Sequence, residues 1–267
     1  MNGGALGLAL GAAFLHAVWN LLLRGSRDAE AATAVSVIVF VAMLAPLAAV
    51  TWDVDGSVWR YAVPSGLLEL VYVALLAAAY RRFELSLVYP VARGLAPVAA
   101  LVIAVLVVRT HVSAAEALGV LVVAAGVLMV RGASGSRGTA LGFLIACVIG
   151  AYTVIDRYGI RHADAPSYAL FVMLAAAVAY PPFVGARRVR AALSPVTVAV
   201  GVLSAAAYLL VLLALRHASA PAVSAVRETG VVIATVLAAV VLREHITRAR
   251  FVGAALVAAG VGLLALS

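Results

Sequence analysis

The sequence predicts an all-α integral membrane protein in which ten transmembrane helices form two inverted five-helix repeats. Three observations predict it: a composition too apolar for a soluble domain, ten apolar runs of membrane-crossing length, and a register at which the second half of the chain repeats the first. Of the 267 residues, 66% are hydrophobic and 11% charged, with a mean hydropathy of +1.16. That leaves too little polar surface to face water on every side. A hydrocarbon core about 30 Å thick needs about 20 residues per helical crossing, so the chain accommodates ten spans with short loops and no separate soluble domain.

The spans are read as apolar runs bounded by charge, proline or glycine. The first, 4–23, stops at Arg24 and is a retained helix, because no basic residue precedes it and many spans follow. The second, 30–51, lies between Asp28 and Asp53, and the third, 62–80, between Arg60 and the pair Arg81–Arg82. The fourth, 86–108, opens after Glu84 and closes at Arg109; the fifth, 114–131, ends on Arg131. In the second half, 138–158 follows Arg137, 165–185 follows Asp164, 196–216 ends on Arg216, 219–242 runs up to Arg243, and 249–266 closes the chain.

Slid against itself by 134 positions, the chain aligns Arg82 with Arg216, Arg93 with Arg227, Arg109 with Arg243, His111 with His245, Gly119 with Gly253 and Gly126 with Gly260. Alanine and valine runs match anything, but residues this rare do not coincide repeatedly by chance. Residues 1–131 and 132–267 are therefore expected to be two copies of one five-helix unit. An odd number of crossings sends the second copy in from the opposite face, and inverted repeats of this kind build solute sites at the midplane between the halves. Gly119, Gly126, Gly253 and Gly260, seven apart in the fifth and tenth spans, are expected to let those two helices pack closely.

All 19 basic residues are arginine and occur in ones, twos and threes between apolar runs, so the net charge of +8 reads as flanking charge and not as a nucleic-acid surface. Connections after the odd-numbered spans hold twelve arginines and the others five. That bias places the arginine-rich loops in the cytoplasm and both termini outside, in a multi-pass inner or plasma membrane protein. The single Cys147 excludes a disulfide framework and a cysteine metal site, and no metal or cofactor is expected.

Arg93 and Arg227 stand inside apolar spans, each Cα about 10 Å from its own span end. Charge at that depth is costly and is usually retained for a task; the competing readings are snorkelling to the interface and internal neutralisation by Glu69 and Glu228. Ser86, Tyr89, Pro90, Arg93 and Pro97 share one face of the fourth span. Pro90, Gly94 and Pro97 are expected to bend or open that helix where Arg93 projects. Other polar residues fall into pairs four apart on the neighbouring spans. His16 and Asn20, with Trp19 adjacent, lie on the first, Ser65 and Glu69 followed by Tyr72 on the third, Tyr152 and Asp156 on the sixth, and Ser204 and Tyr208 on the eighth. The candidate solute site is Arg93, Arg227, Tyr89, Tyr72, Tyr152, Tyr208, His16, Asn20 and Trp19; Glu69, Glu228 and Asp156 are the candidates for proton coupling or charge balance.

The stretches FLHAVWNLLLR (14–24), LSLVYPVARGLAP (85–97) and VLREHITRARFVGAALVAAGVGLLAL (241–266) resemble the EamA-type, ten-helix form of the drug/metabolite transporter superfamily, over essentially the whole chain. The family's Gly-Glu-Arg/Lys turn before the last helix of each repeat is altered here: Glu244 is kept, Thr110 replaces its counterpart, and arginine replaces the turn glycine. The motifs YPVARG and VRETG are similar to those of permeases associated with phosphonate use. The triose-phosphate translocators of the same superfamily hold phosphate with basic residues in helices 4 and 9, a role that by position would fall on Arg93 and Arg227. A guanidinium fork suits phosphate, phosphonate or carboxylate oxygens.

The leading expectation is a secondary transporter that moves a small anionic or zwitterionic metabolite by alternating access, as monomer or homodimer in the bilayer, with coupling to protons or a counter-solute. Removing Arg93 is expected to abolish transport and leave the fold intact. The alternative is proton-coupled efflux of hydrophobic cations anchored on Glu69 and Glu228. An intramembrane enzyme is the remote reading, since the chain has neither a His-Glu-x-x-His nor a Gly-x-Ser-x-Gly motif.

Overall fold

The structure, a computed structural model, describes residues 1–82, 85–131, 136–233 and 247–267, and leaves aside the side chains of some others, Tyr89 included. Helix accounts for 88% of it, and among the described residues no strand forms. The helices are α1 (Gly3–Arg24), α2 (Ala29–Thr51), α3 (Trp59–Arg82), α4 (Leu85–Val102), α5 (Ala114–Arg131), α6 (Ser136–Gly159), α7 (Ala165–Val184), a short α8 (Ala186–Ala192), α9 (Pro195–His217), α10 (Ala220–Arg227) and α11 (Arg248–Leu266). Among the described residues, α1, α2, α6, α7, α9 and α11 are each long and apolar enough to cross a membrane. Their starts follow local chemistry: the side chains of Asn2, Asp28, Asp164, Ser194, Ser219 and Thr247 each accept an amide of the first turn, supplying acceptors to otherwise orphaned donors.

Two spans depart from expectation. The fourth stays α-helical through Arg93 and Pro97 and breaks later, in a π-helical turn over Ile103–Val107. Arg109 then adopts a left-handed φ of 59°, and Thr110 donates through both its amide and its hydroxyl to the Ala104 carbonyl. The ninth, expected as one helix over 219–242, is interrupted directly after Arg227. The Glu228 amide bonds back to the Ala225 carbonyl in a tightened last turn, and helical backbone resumes over 229–233. The remainder of that span, including Arg243 and His245, lies outside the described residues.

In packing, α1 lies on α9, α3 on α6, α2 on α9, α3 on α7, α2 on α7, and α5 on α11; α4 packs on α5 and α6, and α10 on α1 and α4. The α5–α11 contact is set by backbone approach. A Cβ at Gly126 would lie 2.6 Å from the Gly253 carbonyl oxygen, and a Cβ at Gly253 would lie 2.6 Å from that of Gly126. No side chain fits between backbones that close.

The termini meet at one end, where the Met1 ammonium donates to the Leu264 carbonyl at 3.1 Å. At that end the loop after α2 pairs with the loop after α6: the Asp55 amide donates to the His162 carbonyl and the Asp164 amide to the Asp53 carbonyl, each at 2.8 Å, around a Val54–Ala163 bridge. Ser219 at the start of α10 bonds Glu116 at the start of α5. Hydrogen bonds from the Ser57 amide and hydroxyl and from His162 hold the Asp55 carboxyl down at about 2. For Asp164, burial would raise the pKa, but bonds from Ser167, the Asp53 amide and Thr51 outweigh it and keep the carboxyl below its ordinary range. At the opposite end, Arg188 of α8 grips Asp28 at 2.8 and 2.9 Å and Glu30 at 3.0 Å, which lowers the Asp28 pKa.

Gly126→Ala and Gly253→Ala should each overpack the α5–α11 contact and lower stability by about 1–3 kcal/mol, read as a drop in Tm in detergent. Gly7→Ala, where a Cβ meets nothing within 4 Å, should leave Tm unchanged or slightly raised. All three shifted carboxyls have folded pKa values below their unfolded values of about 4. Their contribution is therefore complete above about pH 4 and is lost as the pH falls through the folded values. Tm should be flat in these groups from pH 6 to 8 and decline between about pH 4 and 2, with a shallower decline in Asp164→Asn.

Candidate solute site

A cavity of about 140 Å³ lies among α1, α2, α3, α6, α7 and α9, with Arg93 of α4 and Arg227 of α10 in its wall. Of the residues expected from sequence, α1 supplies His16, Trp19 and Asn20, α3 supplies Glu69 and Tyr72, α6 supplies Tyr152, and α9 supplies Tyr208. Lining residues close to a helix end, Leu23, Thr33 and Leu76, belong to the end clamped by Arg188. The cavity therefore occupies the middle of the helix bundle and the half toward that clamp. Tyr89 cannot be placed, because its side chain lies outside the described residues.

The two arginines differ in their partners. Arg93 Nε donates to Glu228 Oε2 at 3.2 Å, and Nη2 lies 3.1 Å from Oε1 without hydrogen-bond alignment. Glu228 is fully buried. It does not line the cavity; the turn after α10 directs it to α4 and its neighbour Arg227 to the cavity. Arg227 is 3% exposed, and its Nε and Nη2 have no hydrogen-bond partner. Glu69 is also buried, and among the described residues it forms no ion pair with Arg227. Of the two neutralising pairs open to the sequence, the structure forms the one between Arg93 and Glu228.

Asp156 sits outside the cavity, behind Tyr208. One of its oxygens accepts the hydroxyls of Ser65 at 2.5 Å and Tyr168 at 2.9 Å, the other that of Tyr208 at 2.7 Å. A single buried carboxylate thus gathers α3, α7 and α9 around α6. Ser65 and Tyr168 lie near the paired-loop end of their helices, so this cage closes the cavity on that side.

The remaining polar groups of α1 are partly satisfied by their own helix. His16 Nδ1 contacts the Ala12 carbonyl at 3.3 Å, Asn20 donates to the His16 carbonyl at 2.7 Å, and the His16 and Trp19 rings lie 5.4 Å apart. Trp19 Nε1 is buried and has no partner. Tyr72 and Tyr152 meet edge to face at 6.2 Å. Sequence reasoning missed the contribution of α2, whose Thr33, Ser36 and Phe40 line the cavity, and the role of Tyr168. The spacing of Thr33, Ser36 and Phe40 along one helix face was the available signal.

Arg93 is accordingly a structural residue as well as a lining one, since it is the cation beside the buried Glu228. Arg93→Ala leaves a buried carboxylate without its cation and should cost about 3–5 kcal/mol, read as a lowered Tm. Arg227→Ala removes no ion pair and should melt at or above wild type. Arg93→Met combined with Glu228→Gln should recover most of the loss; equal melting of the two alanine variants would contradict the pairing.

Residues 136–266 match the EamA-like transporter family. The fold is similar to a crystal structure of a protein 18% identical in sequence, with a TM-score of 0.77 over 100% of this chain and 98% of that one. No curated protein matches in sequence. By its second half, residues 136–266, this chain is assigned to the EamA-like transporter family of the drug/metabolite superfamily.

Proposed function

We propose that the protein is a secondary transporter that carries a small metabolite bearing an oxyanion through ten membrane helices, by alternating access between two inverted repeats of five. The observation that carries the reading is the Arg227 guanidinium, buried at the cavity wall with Nε and Nη2 unpartnered. Leaving such donors unsatisfied costs about 1–3 kcal/mol or more, a cost that a carboxylate, phosphate or phosphonate oxygen would remove. Cavity size supports a metabolite over a drug: about 140 Å³ is well below the roughly 300–1,000 Å³ of drug-sized sites. Efflux of hydrophobic cations has an anchor in Glu69 but little room.

Packing supports the repeat. Exchanging the first five long helices for α6, α7, α9, α10 and α11 turns the α1–α9 contact into α6–α3, α2–α9 into α7–α3 and α4–α6 into α10–α1, and leaves α2–α7 and α5–α11 in place. The Asp156 cage and the paired loops close one end of the site. In this reading the arginine-rich end faces the cytoplasm, the termini are outside, and the structure is the state closed to the outside.

In a thermal-shift screen with organic anions, ligands that stabilise wild type should lose that effect in Arg227→Ala, and proteoliposome transport of the same ligands should fall to background. Undiminished transport by Arg227→Ala would remove the reading.

A further inference from the structure

We infer that the outer face of α8 is a binding surface for anionic phospholipid headgroups, with Arg187 and Arg190 as the side chains that hold the phosphate. No residue of α8 lines the cavity, so this surface and its chemistry are independent of what the cavity carries.

Placement in the chain puts α8 at the bilayer surface. The 20 residues of α7 span about 30 Å, one hydrocarbon thickness, so the chain emerges at Gly185. There a φ of 93° turns it sharply, a backbone value that glycine adopts without strain. The chain enters the bilayer again from Pro195 at the start of α9. Between the two crossings lies α8, seven residues of which none is buried.

The two faces of α8 differ. At about 100° per residue, Val189, Ala192 and Arg188 fall on one side and Arg187 and Arg190 on the other. Val189 and Ala192 pack on the cluster that contains Tyr180 and Val184, and Arg188 engages Asp28 and Glu30. The inner face is thereby fixed, and the nearby acids are engaged by Arg188. Arg187 and Arg190 are exposed and, among the described residues, pair with no acid. Three positions apart on one helix face, their Cβ atoms are about 5–6 Å from each other, a separation that lets two guanidinium forks share one phosphodiester. Phe183 and Leu193 bracket α8 and are 90% and 63% exposed. An acyl chain covers such side chains and a free phosphate does not, which makes the partner a lipid. Because α8 is tied to the start of α2 through Arg188 and to the end of α7 through Gly185, a lipid held on it joins those helices at the surface.

The test titrates purified full-length protein in detergent with dioleoyl-phosphatidylglycerol, dioleoyl-phosphatidylcholine and inorganic phosphate, counting bound lipid by native mass spectrometry and recording Tm. Each arginine at a membrane surface contributes about fivefold to the attraction of anionic lipid. Phosphatidylglycerol should therefore bind about tenfold or more tightly than phosphatidylcholine, and less tightly as salt rises from about 0.05 to 0.5 M. Arg187→Gln combined with Arg190→Gln should lose most of that preference and keep the wild-type Tm in the absence of lipid. Arg60→Gln, an exposed arginine at the paired-loop end, should retain the preference. Equal binding of the two lipids, a preference that survives the double substitution, or an equal loss in Arg60→Gln would overturn the inference. Displacement of phosphatidylglycerol by inorganic phosphate, with the same gain in Tm, would overturn it in favour of a free-anion site. Should the double variant not fold, the wild-type lipid comparison and its salt dependence decide.

Discussion

A guanidinium and a carboxylate that meet away from water hold each other firmly, because removing one leaves the other as an uncompensated buried charge at a cost of several kcal/mol. Arg93 and Glu228 are such a pair, one from each half of the chain. Their contact joins α4 to the turn that ends α10, and much of the site follows from it. With Glu228 directed to α4, the adjacent Arg227 faces the cavity. The helical break after Arg227 is what allows consecutive residues to serve these two destinations. Local irregularity in a membrane helix is tolerated where protein or a polar cavity meets its needs, and here both do.

Along the helix axes the polar groups are layered. Paired loops and the Asp156 cage close one end, the cavity with Arg227 and Glu69 occupies the middle, and the Arg188 clamp on Asp28 and Glu30 lies at the other end. The cage hydroxyls come from α3, α7 and α9, so any relative movement of these helices has to break bonds to one carboxylate. Tyr208 belongs to both layers, since its ring lines the cavity and its hydroxyl donates to Asp156.

Much was legible in the sequence because the bilayer constrains it. A span must be apolar for about 20 residues, so the ends of α1, α2, α5, α7 and α9 fall within a residue or two of the positions expected from charge and proline. The lining residues His16, Glu69, Tyr72, Tyr152 and Tyr208 were visible because polar side chains inside such spans are rare. The wall from α2 was less visible, since Thr33 and Ser36 bond their own helix carbonyls at 2.7 Å and fit an apolar helix without partners. The break in the fourth span was misplaced because prolines are tolerated within a packed membrane helix, and the departure from α geometry came at Ile103–Val107 instead.

By itself the sequence determined that this chain is a membrane protein of packed apolar helices, and which polar side chains stand within those helices. Each of these follows from local composition and spacing, which the bilayer reads directly. Only the tertiary structure decided that Arg93 is engaged by Glu228 while Arg227 remains open, and that Asp156 holds a cage outside the cavity. Those outcomes depend on which residues meet across helices far apart in the chain, and spacing within one helix carries no information about the facing one.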